Sequence, residues 1–304
     1  MRVRIGFDTI LIAAGILVGV YALSTSDILT GNVFGSNTKK VDIQKETAAA
    51  GLQNITIDTS STNINVVKGS SDQVTARLHG NASSKKAEDI KLLFDQQADT
   101  LNIGVDVPDR YTIGLDITNV DLTVEIPEKQ WNTLKMETSG GDVKASNVRA
   151  QSFMASTSGG NIAVNDVESS AINVEASSGE IKASGFKSSE AVFNAGSGNI
   201  ALSGGNAAIK GETSSGDIQV DSSQLLYNTE LKSGSGEVKV YLANEPASLS
   251  VDYRGGSGQG AIHWNGFKYT ERDEDNRILQ GSFGNGGVLL KVRTDSGNFT
   301  LGPV

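Results

Sequence analysis

From Trp131 onward the chain alternates apolar and polar residues in short runs separated by small polar turns, and the alternation keeps a fixed beat. The phrase reads TSGGDVKA from Thr138 to Ala145, TSGGNIAV from Thr157 to Val164, SSGEIKA from Ser177 to Ala183 and GSGNIAL from Gly196 to Leu202. It continues as SSGDIQV from Ser214 to Val220 and GSGEVKV from Gly234 to Val240, and returns as DSGNFTL from Asp295 to Leu301. The last glycine of each phrase marks the step: Gly141, Gly160, Gly179, Gly198, Gly216 and Gly236 are 19, 19, 19, 18 and 20 residues apart. A period of that length is the signature of a solenoid.

Phase says more than period. Two residues after each marker stand Val143, Ile162, Ile181, Ile200, Ile218 and Val238, with Phe299 after Gly297, and two further on come Ala145, Val164, Ala183, Leu202, Val220, Val240 and Leu301. Before the turn, Leu134, Met136 and Thr138, then Phe153, Ala155 and Thr157, then Ile172, Val174 and Ala176 alternate with mostly polar residues. Period-two alternation puts one set inward and the other in water. Each unit is two short strands joined by a glycine turn, and a single unit cannot stand alone. Its few apolar side chains return roughly 8–15 kcal/mol, against about 1–2 kcal/mol of backbone entropy for each ordered residue. The reading is an all-β, parallel β-solenoid of about 19-residue rungs, with its glycines serving sharp turns that need φ > 0.

Ahead of the rungs, Arg2 and Arg4 precede the apolar run Ile5 to Leu23. Nineteen helical residues reach roughly 28 Å, enough for one hydrocarbon core. Residues 1–24 are expected to be an N-terminal transmembrane anchor, with a cleaved signal segment as the rival, and either sends the rest of the chain out of the cytoplasm. Residues 25–51 lack a sustained period and read as a linker. The solenoid domain is expected over 52–304. It begins with an imperfect first rung and its hairpin (Ile55, Ile57; Ile64, Val66; Val74, Ala76, Leu78). Residues 82–97 fit either a short helix or a strand with a polar loop. Leu101 to Val105, Ile113 to Ile117 and Leu122 to Ile126 read as strands, the last stopped by Pro127. Spacing breaks between 243 and 287, where Asn265-Gly266 signals a hairpin, and this segment is read as a cap over one end of the stack.

Composition narrows the function. The chain has 304 residues, a net charge of −9 and no cysteine. The negative balance argues against nucleic acid, whose phosphates need a positive footprint; the missing cysteine excludes disulfides, thiolate metal sites and a cysteine nucleophile. No GxSxG, HExxH, P-loop or complete GxGxxG occurs, and the two histidines, His79 and His263, are far apart in sequence. No cofactor or metal is expected. The stretch GGSGQGAI from Gly255 to Ile262 has Gln259 and Gly260 where a calcium-binding β-roll needs aspartate, so it reads as a loop. The candidate ligand-facing row lies just after the markers: Asp142, Asn161, Glu180, Asn199, Asp217 and Glu237. Two readings compete for it, a surface that avoids stacking like charges and a flat polar ladder that reads a repeating glycan.

The N-terminal segment, LTVEIPEKQWNTLKMETSGGDV from Leu122 to Val143, the train of SG-[GDEN]-[IV] turns and the closing VRTDSGNFTL together resemble one family. It is the bacterial "putative adhesin" domain of unknown function, which includes the LiaG-like membrane-anchored proteins of Gram-positive bacteria. The resemblance covers about Leu52 to Val304. It implies an extracytoplasmic β-solenoid on a single-pass anchor in the cell membrane, connected with cell-envelope stress, and it brings no catalytic residues to carry over. The expectation is therefore a noncatalytic, surface-exposed adhesin-like binding or scaffold module. Its candidate partners are the membrane, through the N-terminal helix, and a cell-wall glycan or a membrane protein. The alternatives are a polysaccharide-processing β-helix enzyme, which needs clustered acids or bases in a groove, and an envelope-stress accessory protein acting through terminal aromatics such as Tyr253, Trp264, Phe267 and Tyr269.

Overall fold

The structure, a computed structural model, describes residues 38–107 and 118–304. The expected N-terminal helix and the strand expected over Ile113 to Ile117 lie outside the described residues. The chain opens with β1 (Thr38–Ala48), β2 (Asn54–Thr59), β3 (Asn63–Lys68), a long β4 (Gln73–Ser83), one helical turn α1 (Ser84–Ala87), β5 (Lys91–Gln97), β6 (Thr100–Asp106) and β7 (Thr118–Ile126). The regular coils follow as pairs. They are β8 (Trp131–Thr138) with β9 (Val143–Ser146), β10 (Arg149–Thr157) with β11 (Ile162–Asn165), and β12 (Glu168–Ala176) with β13 (Ile181–Ser184). Next come β14 (Lys187–Ala195) with β15 (Ile200–Ser203), β16 (Asn206–Thr213) with β17 (Ile218–Ser222), and β18 (Thr229–Ser233) with β19 (Val238–Leu242). The chain closes with β20 (Leu249–Gly255), β21 (Gly260–Ile262), β22 (Lys268–Arg272), β23 (Ile278–Phe283), β24 (Val288–Thr294) and β25 (Phe299–Pro303).

Among the described residues these strands form two sheets, one of 12 strands and one of 13, and each coil gives one strand to each. The apolar columns run straight down the stack. Ile64, Val143, Ile162, Ile181, Ile200, Ile218, Val238 and Phe299 are successive register partners in the 12-stranded sheet, and none is more than 1% exposed. Across the gap, Ile55, Leu134, Phe153, Ile172, Ala191 and Ile209 form the facing column of the 13-stranded sheet. Because pairing is parallel and in register, each inward position meets its counterpart one coil away, and one continuous core results. The solenoid reading holds.

The marker glycines have a different cause from the one expected. None of them has positive φ. Instead their backbones stack so closely that a Cβ on Gly160 would lie 2.0 Å from the carbonyl oxygen of Gly141, on Gly179 1.7 Å from that of Gly160, and on Gly198 1.8 Å from that of Gly179. The left-handed positions belong to the opposite corner, after the 12-stranded-sheet strands: Asn147 (58°), Asp166 (52°), Gly185 (63°) and Gly204 (59°), one per coil. Asn, Asp and Gly are the residues that tolerate that region.

Both ends of the stack depart from chain order. The coil β2/β3 lies between β8/β9 and β6/β7, so the earliest coil is inserted inside a later one. At the other end the last coil, β24/β25, lies between β18/β19 and β20/β21. Several expectations change. β4 does not form a hairpin with β3 but runs antiparallel to β7 and β1, and the segment read as linker contributes β1, which pairs with β4 over its whole length. Residues 82–97 divide into the end of β4, the single turn α1 and β5. The segment 243–287 does sit at an end, yet it contains a complete coil. Gly258 takes the marker place, where a Cβ would lie 1.8 Å from the oxygen of Gly297. The glycine-rich loop is thus a turn of the solenoid, hidden because Gly260 stands where an Ile or Val is expected. The Tyr253 ring occupies that space: a Cβ on Gly260 would meet it at 2.6 Å, and its hydroxyl lies 3.1 Å from Thr294 Oγ1. Lastly, Asn265-Gly266 is a turn (Gly266 φ 79°) that carries the chain from one sheet to the other; the antiparallel hairpin here is β22 with β23.

Two tests follow from this packing. Gly160→Ala is expected to cost about 2 kcal/mol in urea unfolding, while Gly159→Ala, whose Cβ would have 3.6 Å of clearance, stays within about 0.5 kcal/mol. At the outer edge, Arg77 grips Asp42 through two hydrogen bonds (2.8 and 2.9 Å) and, with Lys40, holds that carboxyl at about 2 against an ordinary 3.8. A depressed carboxyl stabilises the folded state above its unfolded value and loses that contribution as pH falls through its folded one. The protection of β1 amides, relative to their exchange in an unfolded chain at the same pH, should therefore fall between about pH 4 and 2, and Asp42→Asn should flatten that dependence.

Candidate ligand ladder and neighbouring surfaces

The row after the markers is in register as expected, and hydrogen bonding explains its composition. The Asn161 amide donates to Asp142 Oδ1 (2.8 Å), that of Glu180 to Asn161 Oδ1 (2.9 Å), that of Asp217 to Asn199 Oδ1 (2.9 Å) and that of Glu237 to Asp217 Oδ1 (2.8 Å). Two further residues belong to the row: Asn63 accepts from the Asp142 amide at 2.8 Å and Asn298 from the Gln259 amide at 2.9 Å. Both precede an inward residue (Ile64, Phe299) just as Asp142 precedes Val143. That local phase was the available signal for Asn63, where Thr62 replaces the marker glycine. An Asn or Asp side chain is the right length to cap the amide one coil away. Glu180 and Glu237, one methylene longer, reach back along their own strands to Lys182 (2.8 Å) and Lys239 (2.5 Å). Asp142 does not pair with Lys144, since its oxygen serves the Asn161 amide. The Asn and Asp members thus stitch coil to coil with oxygens that face neighbouring backbone.

A second column lies inside the turn. Thr157 donates its hydroxyl to the Gly141 carbonyl (2.9 Å) and accepts from the Gly160 amide (3.1 Å). Thr213 and Ser233 do the same three and four coils further along for Gly198/Gly216 and Gly216/Gly236. These buried hydroxyls satisfy backbone groups that the tight turn removes from water.

Three surfaces among the described residues bear on binding. One is a polar trough of about 660 Å³ beside the turns, on the outer face of the 13-stranded sheet. Glu137, Ser156, Glu175, Asn194 and Glu212 follow one another along it as register partners. Its glutamates recur every second coil; Glu137 pairs with Lys135 and Glu212 with Lys232, both at 2.8 Å. Next to Glu137 in the row, Asp58 has its carboxyl pushed up by burial and by the Glu137 charge. At the opposite corner a mixed-charge pocket of about 310 Å³ is crossed by Lys68–Glu128 (2.5 Å) and Arg149–Glu168 (3.3 Å). Beside it, Lys129 lies over the Trp131 ring at 4.0 Å and is held by the Ala49 and Leu52 carbonyls. The third surface is a notch of about 610 Å³ where β18 starts late, flanked by Ile209, Asn228 and Leu289. Of the terminal aromatics, Tyr253 is fully buried and stacks on Phe299 (5.0 Å), and Phe267 packs on Phe283 (5.0 Å); Tyr269 is exposed under Arg272. His79 lies against Thr123 at 3.3 Å, and His263 is exposed near Gly302. No group of three His, Asp or Glu side chains able to hold a metal occurs among the described residues.

If the row is a coil-to-coil stitch, Asn161→Ala should cost about 1 kcal/mol by leaving the Glu180 amide without its acceptor. Glu180→Gln, which removes only an exposed ion pair, should stay within about 0.5 kcal/mol. Urea unfolding of both variants measures the difference.

Among solved structures the chain is similar to three proteins that it covers almost end to end. One is described as a "putative lipid binding protein" from Parabacteroides distasonis, 14% identical over 85% of this chain and 96% of that one, with a TM-score of 0.49. Another is a "putative adhesin" from Bacteroides fragilis, 13% identical over 86% and 96%, with a TM-score of 0.46. The third is a "putative cell adhesion protein" from Clostridium sporogenes, 15% identical over 88% and 100%, with a TM-score of 0.27. No curated protein matches the chain. The sequence profile of the family described as Toastrack DUF4097 matches residues 52–302, from the turn before β2 into β25, and leaves out β1. On that match, the chain belongs to the Toastrack DUF4097 family.

Proposed function

We propose that this protein is a noncatalytic, adhesin-like binding or scaffold module, held at the cell membrane by residues 1–24 and presenting its solenoid outside the cytoplasm. The observation that carries this reading is the contrast between the ladder and the trough. The ladder's side chains are engaged in cross-coil hydrogen bonds or ion pairs along their own strands, while in the trough beside them the glutamates hold Lys135, Asn173 and Lys232 and leave Ser156 and Asn194 uncommitted between them. There, Ser, Asn and Glu side chains recur at the coil spacing of about 4.8 Å. Such a surface offers the same donors and acceptors repeatedly along an extended polymer, and hydroxyl-rich chains of the cell wall are the ligand class it suits. The glutamates stand two coils apart, about 9–10 Å, which favours a structural and recognition role over paired acid and base chemistry at one bond. A role in envelope stress would operate through what the module binds.

A second reading, contact with another protein of the membrane, is favoured by Leu226, Tyr227 and Leu289. These are 54%, 48% and 37% exposed, and Leu289 donates its amide to Asn228, the residue after Tyr227.

The two are separated by retention on purified wall polysaccharide and by capture from solubilised membranes. The polymer reading expects retention that falls about tenfold, equivalent to about 1.4 kcal/mol, in Ser158→Trp, which fills the trough. Leu289→Ser should leave it unchanged. Retention that is absent, or equal in both variants, would remove the trough from the account.

A further inference from the structure

We infer that the trough selects a polymer of amino sugars with free amines, one ammonium seated on Glu175 and hydroxyls of the neighbouring rings on Ser156 and Asn194. This rests on the trough being the binding surface proposed above and adds the chemistry that it reads. Along the row Glu137, Ser156, Glu175, Asn194 and Glu212, the two outer carboxylates are each matched by a lysine, Lys135 and Lys232, at 2.8 Å. Glu175 stands midway between them and forms no ion pair among the described residues. Asn173 Nδ2 donates to its Oε1 at 3.1 Å. A carboxylate accepts about four hydrogen bonds, so this neutral contact leaves Oε2 free and the charge without a counterion. The trough therefore carries one carboxylate more than its lysines balance, and carries it at its centre.

The groups on either side complete the requirement. Ser156 and Asn194 are the register partners of Glu175, one coil away in each direction, ~4.8 Å, and their side chains form no hydrogen bond among the described residues. A hydroxyl and a carboxamide both donate and accept, which suits sugar hydroxyls. The spacing is close to the rise of one pyranose ring in an extended β-linked chain. An ammonium on Glu175 thus sets the rings before and after it beside Ser156 and Asn194. No aromatic side chain lines the trough among the described residues, so a sugar ring finds no stacking platform there. An ion pair flanked by two polar groups is what the surface offers in its place. The wider field has the same sign. The chain carries a net charge of −9, and Asp58 extends the row one coil beyond Glu137, so polyanionic chains are repelled and cationic ones drawn in. An N-acetylated sugar brings a neutral amide to Glu175 and covers the carboxylate without supplying a counterion.

Retention of the full chain on a β-1,4-linked glucosamine polymer, and on the same polymer after N-acetylation, tests this. The free-amine form should retain it about fivefold more strongly. Glu175→Gln should lose about that factor there and leave retention on the acetylated form unchanged. An acidic protein adheres to any polycation, so Glu180→Gln, which removes the same charge from the ladder, serves as the comparison and should change retention by less than about twofold. Equal losses in the two variants would show net charge alone at work and overturn the inference. Equal retention on the two polymers, or retention on wall polysaccharide but on neither of them, would overturn it and spare the trough reading so long as Ser158→Trp still lowers retention. Retention on no polymer at all, or retention that Ser158→Trp leaves intact, removes both.

Discussion

Every other feature of this solenoid depends on how closely one turn sits upon the next. At the marker positions the main chain of each coil approaches the carbonyl oxygen of the one before it to a distance that leaves no room for a side-chain carbon. That contact fixes the coils along the axis and around it at once. Given that register, the inward Ile, Val and Leu positions must fall into columns, the inner hydroxyls must lie between a carbonyl of one coil and an amide of the next, and the Asn and Asp oxygens must reach the following amide. The glycine is therefore a requirement of space, whereas the conformational freedom that glycine also offers is used at the other corner, at Gly185 and Gly204.

The same constraint explains how substitutions are absorbed within the repeat. Where the column shrinks, a neighbour grows. Gly205 leaves room for the Phe186 ring, which in turn meets Phe193 edge-on at 5.2 Å. Gly255 and Gly260 together leave room for Tyr253, whose ring and hydroxyl replace an apolar side chain and a threonine. Ala176 and Ala195 omit the inner hydroxyl without breaking the stack, since register on both sides is held by the adjoining coils. Interiors tolerate exchange of volume between neighbours better than its net gain or loss.

Much of this was legible in the sequence, because a parallel solenoid in register writes its packing directly into the spacing of residues. The strand pairs from Trp131 to Leu242, the inward columns and the end position of the segment 243–287 all follow from counting. What was not legible is whatever breaks the equality between chain order and spatial order. β2/β3 carries Thr62 in place of the marker glycine, and nothing in its composition shows that it inserts between β6/β7 and β8/β9. Likewise Tyr253 disguises a coil by filling a position that belongs to the next strand, at Gly260. The ladder illustrates a different limit. Its alternation of Asn, Asp and Glu was visible, but a surface designed for a ligand and a surface tied to its own backbone look alike until the amide hydrogen atoms are placed. The trough beside it went unnoticed because its residues, Ser, Asn and Glu, are those of any solvated strand.

Distances between spin labels at outward positions of the 12-stranded sheet measure the stack most directly. Lys144, Asn65 and Thr123 are successive register partners, and Lys239 lies five coils from Lys144 in the other direction. Measured from Lys239, the separations should rise in equal steps, about 24 Å to Lys144, 29 Å to Asn65 and 34 Å to Thr123. A shorter distance to Thr123 than to Asn65, or separations that do not grow by one coil at each step, would contradict both the fixed register and the inverted order at the end of the stack.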